Sequence, residues 1–489
     1  MNHRATGPRP GHSCYRIAPA TRATVIVDAD GYFGAARAAM IKAKKRIVLI
    51  GWDFDARIKL CSVGADDDGA PTRVGDFIYW LVERNPDLDI YLLRWDVGAL
   101  KTLVRGSTVF TLMKWMAHER IHTKLDSVHP HGASHHQKIV VIDEAMAFCG
   151  GIDMTRDRWD TREHIHKDPR RLRPSGKLHK PWHDATTALE GPVAKVLADV
   201  TRNRWKVAGG KDLEPLPDMP SPWPEHLPTQ FTNVPVAVSR SAPAMDEREA
   251  VREIEQLYIE QIASARSFIY AESQYFASRR VAEAMAARLS EPNGPEIVLI
   301  NPDSAEGWLE PIAMDTARAR LREAIRRRDP HGRFRIYHPV TSGGEPIYSH
   351  AKILIVDDRI LRVGSSNMNN RSMRLDTECD VTIDVALTDD PSVSKTITRI
   401  RDDLLGEHLG MAPAHVTASI ERHGSLIKTI EDLRGKGKTL VPYETPDLSA
   451  VEAWLADNEV LDPEGAEEMF EAIHHGSLFR PWSLLNPPW

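Results

Sequence analysis

The chain has 489 residues, of which 42% are hydrophobic and 27% are charged. These values are typical of folded globular proteins and exclude a disordered, collagen-like or coiled-coil chain. The formal net charge of −6 weighs against a protein specialised for nucleic acid, because such proteins usually carry a basic excess.

The N-terminal twenty residues contain proline, histidine and arginine but lack the apolar segment of a secretory signal peptide. The sequence also has no run of about 18 apolar residues, so we expect any membrane contact to be peripheral. The four cysteines have no CxxC spacing, which favours a reducing compartment over a disulfide scaffold. We therefore expect a cytoplasmic or membrane-peripheral protein, with export by a leaderless route left open.

Helical and β-branched segments alternate along the chain, a pattern typical of an α/β fold. A predicted helix over 32–45 precedes a predicted strand over 46–50, and a helix over 279–289 precedes a strand over 296–300. From this alternation we predict a mainly parallel sheet.

The two helix and strand pairs lie on either side of a proline-rich segment that has few periodic apolar positions, which is typical of a connector. Similar sequence features recur before and after it, so the chain divides into two related halves. The predicted units are an N-terminal half over 22–210, a linker over 211–235, a C-terminal half over 236–410 and a mostly helical extension over 411–489.

Each half contains a string of residues of the same types at the same intervals. Two matching strings of this length are unlikely to arise by chance. The first string comprises His136, Lys138, Asp143, Gly150, Gly151 and Asp153. The second string comprises His350, Lys352, Asp357, Gly364, Ser365 and Asn367.

Residues i and i+2 share a face of a strand, so the histidine and lysine of each string point the same way. The aspartate follows its histidine by seven residues and would face the opposite side, so we predict structural roles for Asp143 and Asp357. We assign structural roles also to the residues that follow them, namely Gly150, Gly151, Asp153, Gly364 and Ser365.

Two such halves related by a pseudo-twofold axis bring two imidazoles and two ammonium groups into one cleft. One imidazole attacks phosphorus, and the other protonates the leaving alkoxide. The lysines and an asparagine amide stabilise negative charge on the non-bridging oxygens. The duplicated string therefore predicts a phosphodiester site whose chemistry needs no metal.

Each imidazole requires a carboxylate on its second nitrogen to fix its tautomer. The candidates are Asp160 or Glu163 for the first half and Glu378 for the second half. Among the aromatic residues, Trp52, Trp182 and Tyr275 are candidates for a lipid pocket, with a place in the core as the alternative.

Histidine-rich segments over 129–136 and 164–166 raise the question of a metal site. No cysteine or carboxylate cluster at ligand spacing completes such a site in the sequence. We therefore predict no metal and no other cofactor.

The paired strings resemble the signature of the phospholipase D superfamily, HxKxxxxDxxxxxxG(G/S)x(N/D), over roughly residues 22 to 410. The flanking segments resemble its phosphatidylcholine-type branch: 150–164, 181–205, 269–276, 364–378 and 404–410. This resemblance implies two homologous α/β/α sandwich halves that share one central active-site cleft. It implies a substrate-positioning role for Gln274 and makes His136 the nucleophile. The implied active-site residues are His136, Lys138, His350, Lys352, Asn367 and Glu378.

The resemblance also implies a reaction. A phospholipase D hydrolyses the distal phosphodiester of glycerophospholipids such as phosphatidylcholine or phosphatidylethanolamine to phosphatidic acid. The reaction proceeds through a covalent phosphohistidine and also transfers the phosphatidyl group to primary alcohols. The expected partner is a phospholipid at a membrane surface, without nucleic acid, and we expect a monomer. A cardiolipin-synthase-like phosphatidyltransferase, a phosphodiester nuclease and a non-catalytic lipid-binding protein remain alternatives.

Overall fold

The computed structural model describes residues 7–61, 69–95, 107–130, 132–245, 248–304 and 314–444, and the fold is given for this part of the chain. One continuous mixed sheet passes through both halves, and a small two-stranded sheet lies beside it. Helices pack on both faces of the large sheet.

The first half begins with a long strand that pairs with the second half. Its strands are β1 (Arg16–Val27), β2 (Arg46–Gly51), β3 (Asp89–Trp95), β4 (Ile121–Asp126), β5 (Ile139–Ile142), β6 (Met146–Gly150), β7 (Trp182–His183) and β8 (Ala185–Glu190). Its helices are α1 (Ala29–Ile41), α2 (Val74–Arg84), α3 (Ser107–Met116) and α4 (Pro192–Val207).

The second half repeats this plan. Its strands are β9 (Phe231–Ala242), β10 (Val251–Arg252), β11 (Phe268–Glu272), β12 (Glu296–Ile300), β13 (Phe334–Val340), β14 (Tyr348–Ser349), β15 (Ile353–Val356), β16 (Ile360–Gly364) and β17 (Glu378–Asp384). Its helices are α5 (Glu253–Ser264), α6 (Arg279–Leu289), α7 (Thr316–Arg328) and α8 (Pro391–Leu409). After it come α9 (Pro413–His423), α10 (Leu426–Leu433) and β18 (Thr439–Pro442).

The order of strands in the large sheet shows the internal repeat. It runs β18-β13-β12-β11-β15-β16-β17-β9-β1-β8-β6-β5-β2-β3-β4, with β10 on β9. The series β13-β12-β11-β15-β16-β17 matches β4-β3-β2-β5-β6-β8 on the other side of the β9 and β1 pair. The sheet therefore has a pseudo-twofold centre where the long strands of the two halves meet.

The expectation of a mainly parallel sheet is wrong. Within the large sheet, the described strands are parallel only in β2-β3-β4 and β11-β12-β13. The two strings share their spacing because each one spans a hairpin. Connections as short as 143–145 and 357–359 can join only antiparallel strands. These hairpins insert β5-β6 and β15-β16 antiparallel into each half.

The predicted α/β/α layering is confirmed. One apolar cluster joins strands of both halves to α4 and α8, with Val48 and Ile355 among its buried members. On the opposite face, separate clusters lie under α1 and α2 in the first half and under α5 and α6 in the second. A shared core on one face holds the two halves in a fixed relation.

The predicted linker over 211–235 is too long at its C-terminal end. Strand β9 begins at Phe231, and Pro235 lies opposite Pro19 of β1. Strand β18 pairs with β13 at the sheet edge, so residues 411–444 are not wholly helical; residues 445–489 lie outside the described residues. Among the described helices, none is both long and apolar enough to cross a bilayer.

The aspartate of each string closes a turn. The Asp143 carboxylate accepts the backbone N–H groups of residues 44–46 at 2.6–2.8 Å, and Asp357 does the same for residues 266–268 at 2.6–2.8 Å. Asp143 and Asp357 have φ values of 50° and 51°, so they lie in turns and not in the strand assumed for them. Both carboxylates tie a hairpin to the strand beside it.

We expect Asp143→Asn to lower the free energy of unfolding by about 1–3 kcal/mol, because an amide loses the charge and one of the acceptor atoms. Asparagine tolerates the left-handed backbone, so the effect isolates the hydrogen bonds. Urea denaturation measures it. Asp87→Asn, at an exposed carboxylate, is the control and changes stability by less than about 0.5 kcal/mol. Equal effects of the two substitutions would contradict the assigned role.

Candidate active site

The histidines of the two strings lie in extended segments that lead into β5 and β15, and each segment is bonded to the opposite half. The backbone N–H of His136 donates to the carbonyl of Thr377 at 3.0 Å, and that of His350 donates to His183 at 2.7 Å. Each histidine therefore lies at the boundary between the halves, just before a central strand begins.

A carboxylate from the opposite half contacts each imidazole. Nδ1 of His136 lies 3.0 and 2.9 Å from the two oxygens of Glu378. Nδ1 of His350 lies 2.6 Å from Asp184 Oδ2. With Nδ1–H donating to a carboxylate, Nε2 of each ring is left with its lone pair, which is the tautomer a nucleophile or base requires.

This crossed arrangement corrects the predicted partners. Asp160 contacts Nδ1 of His164 at 3.0 Å and does not orient a histidine of the strings. Glu163 is exposed. Glu378 was expected to serve the second half but holds His136. Sequence reasoning missed Asp184, whose only signal is its place in the segment 181–184 that resembles the family.

Glu378 is held in place by three donors. Besides His136, the hydroxyl of Ser365 donates to Oε2 at 2.5 Å and that of Ser372 donates to Oε1 at 2.7 Å. Glycines of the two strings let neighbouring carboxylates come close to the backbone. A Cβ on Gly364 would lie 2.0 Å from Asp380, and one on Gly151 would lie 2.2 Å from Asp184. A Cβ on Gly150 would lie 2.3 Å from the backbone of Thr186.

Both lysines of the strings are buried beside their histidines. Lys138 Nζ donates to the carbonyl of His136 at 2.8 Å and lies 3.2 Å from Asp153 Oδ2. Lys352 Nζ donates to the carbonyl of His350. The amide of Asn367, which takes the place of Asp153 in the second string, donates to Gln274 Oε1 at 3.4 Å. The two halves therefore differ in charge at this position.

Burial sets the protonation of the site. Burial, with the positive charge of Lys138 and Lys352, lowers the pKa of His136 well below its usual range. Burial and Lys352 do the same for His350, which also lies within the field of Lys138 and His136. Both imidazoles are therefore neutral at neutral pH.

Burial also shifts the pKa values of Glu378 and Lys352, upward for the carboxyl group and downward for the ammonium group. Burial raises the pKa of Glu378 to about 8. Its deprotonation as the pH rises strengthens the hydrogen bond from His136 Nδ1–H, which favours the reactive tautomer. Burial lowers the pKa of Lys352 to about 7, so this ammonium group becomes readily neutral unless an anion is bound nearby.

An aromatic wall adjoins His350. Trp182 stacks on Tyr348 with ring centroids 4.6 Å apart and lies 5.0 Å from the His350 ring. Nε2 of Gln274 donates to the hydroxyls of Tyr275 and Tyr348 at 2.9 and 3.0 Å. Three of the predicted substrate-binding residues thus come together here, and Tyr348 is an addition that the sequence did not suggest.

The fourth predicted substrate-binding residue lies on the other side of the site. Trp52 stacks on Trp95 at 5.6 Å, and its backbone N–H donates to Asp153 at 2.9 Å. Lys138 and Asp153 also border a mainly apolar cavity of about 610 Å³ that extends to Trp115 on α3. The charged groups thus have apolar surface next to them.

The basic loop over 156–180 is anchored by ion pairs at two of its arginines, while residues 172–178 are exposed. Arg162 pairs with Glu407 and Asp403, and Arg171 pairs with Asp160. These ion pairs hold the loop to the protein at Arg162 and Arg171, whereas Arg156, Lys167, Lys177 and Lys180 are exposed.

Two family models match the chain. One, described as phospholipase D, matches residues 39–284, and the other, described as cardiolipin synthase with a phospholipase D-like domain, matches residues 258–401. Phospholipase D A of Dictyostelium discoideum is 23% identical over 471 residues, covering 79% of this chain and 35% of that protein. Phospholipase D alpha 1 of Arabidopsis thaliana is 25% identical over 451 residues, covering 67% of this chain and 52% of that protein.

The chain spans between 24% and 52% of the length of the curated relatives that it matches. A solved structure, phosphatidylserine synthase of Haemophilus influenzae, superimposes with a TM-score of 0.53 at 13% identity. The match covers 85% of this chain and 96% of that chain. This likeness shows a shared fold.

We expect Lys352 to titrate with a midpoint near pH 7, because burial disfavours its charged form. NMR of protein labelled at the lysine side chains measures the midpoint, and Lys352→Arg assigns the signal by removing it. A midpoint near the ordinary value of about 10.4 would contradict the electrostatic description of the site.

Proposed function

The chain belongs to the phospholipase D superfamily, and from this membership and the geometry of its cleft we propose that it is a phospholipase D. In this proposal it hydrolyses the distal phosphodiester of phosphatidylcholine or phosphatidylethanolamine to phosphatidic acid and the free headgroup. The observation that carries the proposal is the crossed pairing of the two imidazoles, His136 with Glu378 and His350 with Asp184.

In the first step, Nε2 of His136 attacks phosphorus while the bond from phosphorus to the headgroup oxygen breaks. The leaving alkoxide takes a proton from His350. Although burial keeps His350 neutral in the free protein, a bound anionic phosphodiester favours its protonated form. On substrate binding, His350 thus takes up a proton from solvent, and this is the proton that it gives to the leaving alkoxide.

In the second step, neutral His350 removes a proton from water or an alcohol. The resulting nucleophile attacks phosphorus, the bond from phosphorus to His136 breaks, and the imidazole is regenerated. Lys138 and Lys352 face the non-bridging oxygens and stabilise the charge that grows on them. An anion in the cleft also raises the pKa of Lys352 and keeps that group charged.

Several features favour a lipid over a nucleic acid as substrate. The aromatic wall at Trp182 and the apolar cavity beside Lys138 offer apolar surface on both sides of the phosphate site. The net charge of −6 disfavours binding to a polyanion such as DNA. We propose that the partner is a phospholipid at a membrane surface, to which the protein binds peripherally.

A second candidate is a cardiolipin-synthase-like phosphatidyltransferase. The match of residues 258–401 to the model described as cardiolipin synthase favours it. It uses the same phosphohistidine but takes the hydroxyl of a phosphatidylglycerol as the acceptor in place of water. The two candidates differ in the acceptor, and a product assay separates them.

We expect the purified protein to convert phosphatidylcholine vesicles to phosphatidic acid and, with ethanol present, to phosphatidylethanol. A small primary alcohol replaces water in the second step, because the phosphohistidine accepts any nucleophile that His350 can deprotonate. Lipid mass spectrometry measures both products, and the double variant His136→Ala, His350→Ala is the blank. Release of cardiolipin from phosphatidylglycerol alone would favour the second candidate. Cleavage of plasmid DNA with every glycerophospholipid intact would reject both.

The covalent adduct is expected on His136. Phosphatidyl-p-nitrophenol has a leaving group that needs no proton, so the variant His350→Ala completes the first step but stalls before the second. Peptide mass spectrometry should then find the adduct on the peptide that contains His136. The mirror variant His136→Ala is the control and should give no adduct; an adduct on its His350 peptide would reverse the roles.

A further inference from the structure

Behind the catalytic cleft lies a buried cluster of two imidazoles and two carboxylates. Its members are Asp28, His164, His183 and Glu407, whose ligand atoms all lie within 4.8 Å of one another. Their side chains are no more than 2% exposed. The first three belong to the N-terminal half, and Glu407 comes from α8 of the second half.

Three of the six separations between the donor atoms are close to those of a four-coordinate site. Nε2 of His164 lies 3.3 Å from Asp28 Oδ2 and 3.2 Å from Glu407 Oε1, and Nδ1 of His183 lies 2.9 Å from the same Glu407 oxygen. Donors placed tetrahedrally at about 2.0–2.1 Å from an ion lie about 3.3 Å apart. The observed separations agree with this value to within a few tenths of an ångström.

Two of the donor atoms are left unsatisfied. Within the described part of the chain, Asp28 Oδ2 and His183 Nδ1 are buried without a hydrogen-bond partner. The short approach of His183 Nδ1 to Glu407 lacks the angle of a hydrogen bond. An ion at the centre of the cluster would satisfy both atoms.

The remaining ring nitrogens are held by carboxylates. Nδ1 of His164 donates to Asp160 Oδ2 at 3.0 Å, and Nε2 of His183 donates to Glu272 Oε2 at 2.7 Å. For His183 this leaves the Nδ1 lone pair directed at the cluster. Nε2 of His164 lies 3.2 Å from Glu407 Oε1 in a hydrogen bond, and a bound ion would replace that contact. Histidines that bind metals in proteins are oriented by carboxylates in the same way.

We propose that these four residues form a closed structural site for one divalent ion of the zinc class. Two nitrogen and two oxygen donors in a dry, four-coordinate cluster suit zinc, whereas calcium and magnesium require six or more oxygen ligands. The sequence pattern pointed away from a metal because the two carboxylates that complete the site lie far from His164 along the chain.

The proposed ion would hold the segment that orients a catalytic histidine. Oδ1 of Asp28 accepts the backbone N–H of Asp184 at 3.0 Å, and Asp184 contacts His350. The ion would also join Asp28 of the first half to Glu407 of the second. Its role is positioning, outside the bond-breaking chemistry.

In the alternative state no metal is bound, and both imidazoles are protonated and form ion pairs with the carboxylates. Metal analysis of the full-length protein, saturated with Zn²⁺ and then dialysed against metal-free buffer, separates the two. We expect about one zinc per chain. Removal with dipicolinate should lower the Tm by about 5 °C, and added Zn²⁺ should restore it. Cobalt replacement should give the intense visible bands of a tetrahedral centre.

Variants locate the ion. Glu407→Gln, which preserves shape, and His164→Ala should each lose the metal. His166→Ala, two residues away, with Nδ1 contacting Thr341, is the control and should retain it. If a variant fails to fold, the metal content and cobalt spectrum of the parent protein still decide. Less than about 0.1 zinc per chain with an unchanged Tm, or zinc retained in Glu407→Gln and His164→Ala, would overturn the proposal.

Discussion

The crossed pairing of imidazole and carboxylate is the constraint on which this molecule depends. Glu378 of the second half holds His136 of the first, and Asp184 of the first half holds His350 of the second. Neither half therefore contains a complete reacting group, and the site exists only when the halves are docked. The shared apolar cluster and the pairing of β1 with β9 supply that docking.

Burial of the paired imidazoles and carboxylates determines their protonation. Desolvation lowers the pKa of both histidines, so His136, the proposed nucleophile, is neutral without help from substrate. The same burial would be costly for charged groups that lacked partners. The hydroxyls of Ser365 and Ser372 satisfy Glu378, and glycines such as Gly364 let the supporting strands come close enough for these contacts.

Behind these groups lies a further layer of buried polar residues, and the two layers are connected. Asp28 holds the backbone of Asp184, and Glu272 holds His183 beside it. A rigid outer layer of this kind restricts the motion of the proposed catalytic residues. An ion bound by Asp28, His164, His183 and Glu407 would extend this restraint across both halves.

The sequence alone determined the features that depend on residues close together in the chain. It located the two histidine and lysine pairs, and the predicted segments 279–289 and 296–300 coincide with α6 and β12. Spacing and periodicity describe neighbours along the chain, so they could not show that Glu378 lies against His136, 242 residues away, or Asp184 against His350, 166 residues away. The antiparallel hairpins, the crossed carboxylates and the buried histidine cluster were decided by tertiary structure, because each requires two distant segments to pack against each other.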